Sequence, residues 1–181
     1  MPSAADSAVY LITGIQAAGK STVAQLLAER LPRSVHVRGD LFRRMIVNGR
    51  VDITPDLVGE ALEQLRLRYE LAAAVTDGYA RAGFSVVVQD VVLAEQLERM
   101  VGLIRSRPLY VVVLAPDRDT IATRERERGK TAYGVWQITQ LDEALRERTP
   151  RIGLWLDTSG QTPDQTVAEI LERARTEAAM A

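Results

Sequence analysis

The chain has 181 residues, 46% of them hydrophobic and 26% charged, with a formal net charge of −1. That length suits one domain with a full core, and the even charge balance gives no overall pull toward nucleic acid or a membrane surface. With no cysteine and one histidine, disulfides, thiolate catalysis and cysteine- or histidine-rich metal sites are excluded.

The opening stretch, MPSAADSAVY, lacks the charged-then-apolar form of a secretion signal. No apolar run approaches the ~20 residues that cross a bilayer, so a soluble, cytoplasmic protein without membrane partners is expected. The first element is the apolar run Val9 to Thr13. GIQAAGKS follows, Gly14 to Ser21, and fits the phosphate-loop pattern Gly-x-x-x-x-Gly-Lys-Ser/Thr. Its glycines, Gly14 and Gly19, allow backbone shapes that a Cβ would strain. Successive N–H groups then make an anion nest at the N-terminus of the next helix. Lys20 would reach the β- and γ-phosphates of ATP, and Ser21 would offer its hydroxyl to Mg²⁺. Gln16, Ala17 and Ala18 fill the variable positions and, with Thr22, belong to the expected nucleotide site. The pattern alone also occurs by chance; a strand before it and a helix after it supply the context that makes it a phosphate loop.

That helix, KSTVAQLLAERL, has Val23, Leu26, Leu27 and Leu31 on one face. A second strand, Ser34 to Arg38, leads into GDLFRRMIVNGR. Asp40 starts a helix there. It can cap that helix, or it can face the γ-phosphate as a general base for an attacking hydroxyl. Arg43 and Arg44, about one turn on, are candidates for an anionic substrate group or the transferring phosphoryl. A long helical pattern runs from Pro55 to Gly83, where glycine closes it. The third strand, Ser85 to Gln89, ends at Asp90, placed for a carboxylate that holds Mg²⁺ or substrate; a turn-capping aspartate is the plainer alternative. His36, Trp136 and Trp155 are expected to pack.

A helix, AEQLERMVGLIRS, and a fourth strand, Leu109 to Leu114, come next. DRDTIATRERERGK then places Arg124 and Arg128 four residues apart on one helical face. Alone, the alternating Arg and Glu would describe a solvated helix. Followed by the loop GKTAYG, the segment also suits a lid over roughly 117–135, with Arg128 on the phosphates and Arg124 on adenine or phosphate. VWQITQLDEALRERT, a short strand Leu154 to Leu156 and the helix TPDQTVAEILERARTEAA complete the chain; Thr162 or Asp164 starts that last helix, with Pro163 in its first turn.

Strands alternating with helices predict an α/β fold with a parallel sheet and helices on both faces. Gly14, Asp40, Asp90 and Asp157 each follow a strand, so they should gather along one sheet edge, where such sheets bind ligands. GIQAAGKS, GDLFRRM, VVVQDVVLAE, RERERGK and LWLDTS, in that order, resemble the chloramphenicol phosphotransferase-like group of small P-loop kinases, over nearly the whole chain. The resemblance implies a single domain, 1–181, with the three-layer P-loop NTPase fold: five parallel strands, helices on both faces and a helical lid. It implies an ATP- and Mg²⁺-dependent kinase acting on a small-molecule hydroxyl, an antibiotic among the options. In that reading Asp40 is the base, Lys20 and Ser21 serve the phosphate loop, and Arg124 and Arg128 are lid arginines. The third strand departs from the group by ending Gln89-Asp90 where two acidic residues are usual. A polynucleotide 5′-hydroxyl kinase and a nucleotide-binding regulator without acceptor chemistry are the alternatives.

Overall fold

A computed structural model describes residues 7–53, 58–127 and 138–181. Five strands pair in parallel: β1 (Val9–Thr13), β2 (Ser34–Arg38), β3 (Ser85–Gln89), β4 (Leu109–Leu114) and β5 (Leu154–Leu156), in the spatial order β2-β3-β1-β4-β5. A two-residue strand, β6 (Ala179–Met180), lies antiparallel against the start of β4 and was not expected from the sequence. The α/β architecture and its five parallel strands agree with the sequence reading.

Every residue of β1, β3 and β4 is buried, which is why these runs are continuous rather than alternating in hydrophobicity. Strand pleating sends successive side chains to opposite faces. Leu11, Val86, Val88, Val111 and Val113 join one core cluster. Tyr10, Ile12, Val87, Val112 and Leu114 join the other. The first cluster is closed by α3 (Gly59–Arg81) and α4 (Glu95–Leu103), through residues such as Leu65, Tyr69, Leu97 and Met100. The second is closed by α1 (Lys20–Arg30) and α7 (Pro163–Glu177), through Val23, Leu27, Val167 and Ile170. Of the face expected on α1, Val23 and Leu27 are buried, whereas Leu26 and Leu31 pack only partly against the core.

Between them lie α2 (Asp40–Arg44), α5 (Arg118–Glu127) and α6 (Ile138–Glu143), the last running into a π-helical turn over Ala144–Arg148. Gly83 closes α3 at a φ of 80°, its N–H donating to the Ala80 carbonyl at 2.9 Å. Thr162 caps α7 in a reciprocal box with Gln165, with Pro163 in the first turn. No helix among the described residues is long and apolar enough to cross a membrane.

Gly153, just before β5, has a φ of 73°, and a Cβ there would lie 2.4 Å from the Val111 carbonyl oxygen. Both the left-handed backbone and the backbone contact exclude a side chain. Gly153→Ala is expected to cost about 2–3 kcal/mol, a fall of roughly 5–10 °C in melting temperature; an unchanged melting temperature would show that the β5 entry relaxes freely.

Candidate active site

The phosphate loop leaves the carboxyl end of β1 and packs onto the end of β4. Gly14 has a φ of 145°, and a Cβ on it would meet the Leu114 carbonyl oxygen at 2.4 Å. The chain then passes through a left-handed Ala17, φ 60°, and a left-handed Gly19, φ 94°, which is the N-cap of α1. Ala17 is thus more than a spacer: a non-glycine residue in this region carries strain that the surrounding packing must hold. Lys20 is 8% exposed and folds across the loop, donating from Nζ to the Ile15 carbonyl at 2.7 Å. Ser21 and Gln16 are half-buried, and Thr22 is exposed at the mouth of the loop.

Arg124, on α5, fastens this loop to the turn after β5. Its Nη2 donates to the Thr158 carbonyl at 3.0 Å and its Nη1 to the Ala18 carbonyl at 3.4 Å. Beside it opens a cleft of about 310 Å³ lined by Ala17, Ala18, Gly19, Thr22 and Arg124 on one side and Thr158, Gln161 and Pro163 on the other. That volume lies at the small end of ligand pockets. Arg124 therefore stands between the loop and the cleft. Arg128 and the last part of the expected lid, including GKTAYG, lie outside the described residues. The helices flanking that segment are pinned together: Arg118 of α5 (2.5 Å) and Arg146 of the π-helical turn (2.8 Å) both pair with Asp142, which is 1% exposed.

Asp40 is the first residue of α2, and no side chain caps that helix, so its carboxylate is not spent on capping. Oδ2 pairs with Arg44 at 2.8 Å. Oδ1 is buried without a hydrogen-bond partner, with Arg38 Nε 3.7 Å away. Arg43 points elsewhere, pairing with Asp52 and reaching the Val51 carbonyl at 3.4 Å. Gln64 of α3 holds the same loop through the Val51 N–H (3.0 Å) and the Gly49 carbonyl (2.7 Å).

Asp90 has a partner that the sequence did not indicate: its carboxylate is clamped by Arg68 of α3, with Nε donating to Oδ2 at 2.7 Å and Nη2 to Oδ1. The Val91 N–H adds a third bond to Oδ1 at 2.7 Å. Burial pushes the Asp90 carboxyl up from its ordinary range, and Arg68, the Val91 amide and Lys20 pull it back. For Arg68, burial works against the charge, but Asp90, with smaller help from Tyr69 and Asp40, holds its pKa above the usual value. Burial also raises the Tyr69 phenol, which donates to the Val91 carbonyl at 2.7 Å. Gly39 completes the arrangement: a Cβ there would lie 1.9 Å from Asp90 Oδ2. Arg68 escaped the sequence reading, yet a signal was present. It falls among Ala61, Leu65, Tyr69 and Ala72, the buried stripe of α3, where a charged residue is out of place unless paired.

The described residues contain no group of three or more His, Asp or Glu able to cage a metal. Mg²⁺ commonly does without one, since it keeps waters and binds through one or two protein oxygens plus substrate phosphates. The Ser21 hydroxyl, at the head of α1 beside Lys20, fits that mode.

An AAA domain family model matches residues 9–152. A UPF0200 protein of Aeropyrum pernix is 28% identical over 140 residues, 75% of this chain and 73% of that protein. Among solved structures, an unliganded sugar kinase from Janibacter sp. HTCC2649 superposes with a TM-score of 0.68 at 18% identity, covering 92% of this chain and 93% of its own. The tunicamycin resistance protein of Deinococcus radiodurans gives 0.66 at 18% identity, covering 97% and 99%.

The two carboxylates differ in what their loss should do. Asp90→Ala strands the Arg68 guanidinium, 12% exposed, and is expected to cost about 3–5 kcal/mol. Asp40, 32% exposed, should cost no more than about 1 kcal/mol on the same change. Urea unfolding of both variants measures the contrast; equal losses would show that the Asp90 pair is not the structural one.

Proposed function

The chain belongs to the AAA domain family matched across residues 9–152, and from that premise we propose that it is a phosphotransferase moving the γ-phosphoryl of ATP to a hydroxyl of a small molecule. The observation that carries this reading is Asp40 Oδ1. A carboxylate oxygen without a hydrogen-bond partner stands on the same sheet edge as a phosphate loop, two strands away in the order β2-β3-β1. A nucleotide sensor needs the loop; it has no use for a base beside it.

In the proposed reaction the loop amides and Lys20 hold the β- and γ-phosphates, with Gly14, Gln16, Ala17, Ala18 and Gly19 forming the cradle and Ser21 and Thr22 at its helix end. The cleft beside Arg124 takes the nucleoside. Ser21 would hold Mg²⁺, which supplies charge neutralisation at the β/γ-phosphates when bound. Asp90, its oxygens engaged by Arg68, acts behind the site as a support rather than at the metal. The acceptor oxygen forms its bond to the γ-phosphorus as the bond to the β–γ bridging oxygen breaks. The electron pair stays on ADP, and the hydroxyl proton passes to Asp40 Oδ1. Arg44 holds the other Asp40 oxygen and keeps the carboxylate oriented. Arg128 remains a proposed phosphate contact. The similarity to a tunicamycin resistance protein makes hydroxylated antibiotics one acceptor class for a screen. A nucleic-acid end kinase needs a basic groove; here Arg43, Arg44 and Arg68 each face a carboxylate, which disfavours one.

Asp40→Asn is expected to lower transfer by roughly 10²–10⁴-fold while ATP binding by calorimetry stays unchanged; full activity overturns the base assignment. Lys20→Ala should abolish transfer and weaken ATP binding together. Arg124→Ala should raise the KM for ATP roughly tenfold with less effect on kcat, and an unchanged KM would remove Arg124 from the nucleoside cleft.

A further inference from the structure

The outer face of α3 carries side chains that the fold does not use. A surface helix turns its apolar residues to the core and its charged ones to water. The inner face of α3 obeys that rule, burying Ala61, Leu65, Tyr69, Ala72 and Ala73. On the opposite face Leu67 and Leu71, one turn apart, are 47% and 41% exposed. At 3.6 residues per turn, Glu63, Leu67, Leu71, Ala74, Gly78 and Arg81 fall within about 40° of one line along the helix. From 67 onward their spacing is four, three, four, three, the rhythm of a helix-pairing seam.

Nothing within the chain accounts for Gly78. It sits in the interior of a 23-residue helix, where glycine is less stable than alanine. A Cβ there would meet no atom within 4 Å, so no neighbour in the fold requires its absence. Beside the exposed Leu71 and Ala74, the missing side chain leaves a shallow gap on the outer surface.

The stripe is complementary to itself. Turned antiparallel about a twofold axis between positions 72 and 73, a second α3 lays Leu67 against the partner's Gly78 and Leu71 against the partner's Ala74. Large meets small at both places, which lets the two helices approach closely. The same turn brings Glu63 of one chain beside the partner's Arg81, and the twofold repeats the contact at the other end. Neither Glu63 nor Arg81 makes an ion pair among the described residues. A parallel pairing in register would set glutamate against glutamate and arginine against arginine.

We propose that two copies of this chain associate through the outer faces of α3, antiparallel, with Leu67 and Leu71 of each filling the space left by the partner's Gly78 and Ala74. From 63 to 81 the stripe is about 27 Å long. One helix pair of that length is small beside the ~800 Å² per partner of a standard interface. The dimer is therefore a reversible one, forming at roughly micromolar concentration and above. The proposal stands independently of the phosphotransferase reading.

Sedimentation velocity of the full chain, from about 1 to 200 µM, reads the oligomeric state, and circular dichroism reads the fold. The mass should rise with concentration from the 20.0 kDa of one chain toward twice that value. Leu71→Glu should raise the dissociation constant at least about tenfold while the chain stays folded. Leu67→Gln serves the same purpose if that variant does not fold. Gly78→Leu should also raise it about tenfold without lowering the melting temperature of the dilute monomer, because the added side chain clashes only with a partner. Glu63→Arg and Arg81→Glu should each weaken association, and the two together should restore it. A monomer across the whole range, leaving the stripe to a different protein, overturns the proposal. A dimer that withstands both the leucine substitution and Gly78→Leu places the contact elsewhere and overturns it too. Failure of the double charge exchange to restore association overturns the antiparallel arrangement.

Discussion

Parallel pairing of buried strands is the constraint from which the site follows. Because β1, β3 and β4 are covered on both faces, their connections must cross over through helices, and all five parallel strands end at one edge. Asp40, Asp90 and the phosphate loop meet there without being near in sequence. The parallel sheet sets this meeting point. It supplies them with a common floor, and each loop then finds its own way of being held.

Two of those loops are held by the absence of a side chain. At Gly14 the phosphate loop rests on the Leu114 carbonyl, and at Gly39 the entry to α2 rests on Asp90. Close approach there works together with backbone hydrogen bonds, from the Gly39 N–H to the Gln89 carbonyl at 3.0 Å and from the Ala18 N–H to the Ile15 carbonyl at 3.2 Å. Arginine side chains do the remaining work from above. Arg68 reaches down from α3, Arg124 reaches across from α5, and each ties elements that the sheet itself does not join.

What could be read from the sequence was whatever depends on neighbours along the chain. The apolar runs at 9–13, 85–89 and 109–114 announce buried strands because both faces must be hydrophobic. GIQAAGKS announces its loop because glycine, lysine and serine serve one anion within eight residues. Asp40 was legible for the same reason, sitting between a strand and a helix start. The pairing of Arg68 with Asp90 was not, because it depends on α3 lying across β3, a packing outcome that no local pattern encodes. Asp90 alone reads as a carboxylate for metal or substrate; that it is engaged by Arg68 is visible only in the packed structure. β6 is two residues long and has no period to detect, and the left-handed turn at Ala17 is dictated by its surroundings rather than by alanine.

The contact between Gly39 and Asp90 has a genetic consequence. The two positions lie 51 residues apart, yet they share a space in which one carbon atom cannot be added without another being removed. A drifting sequence that gained a side chain at 39 could keep its fold only by shortening the residue at 90, and in doing so it would strand Arg68. The three positions therefore constrain one another, and a change at one alters what the other two can be.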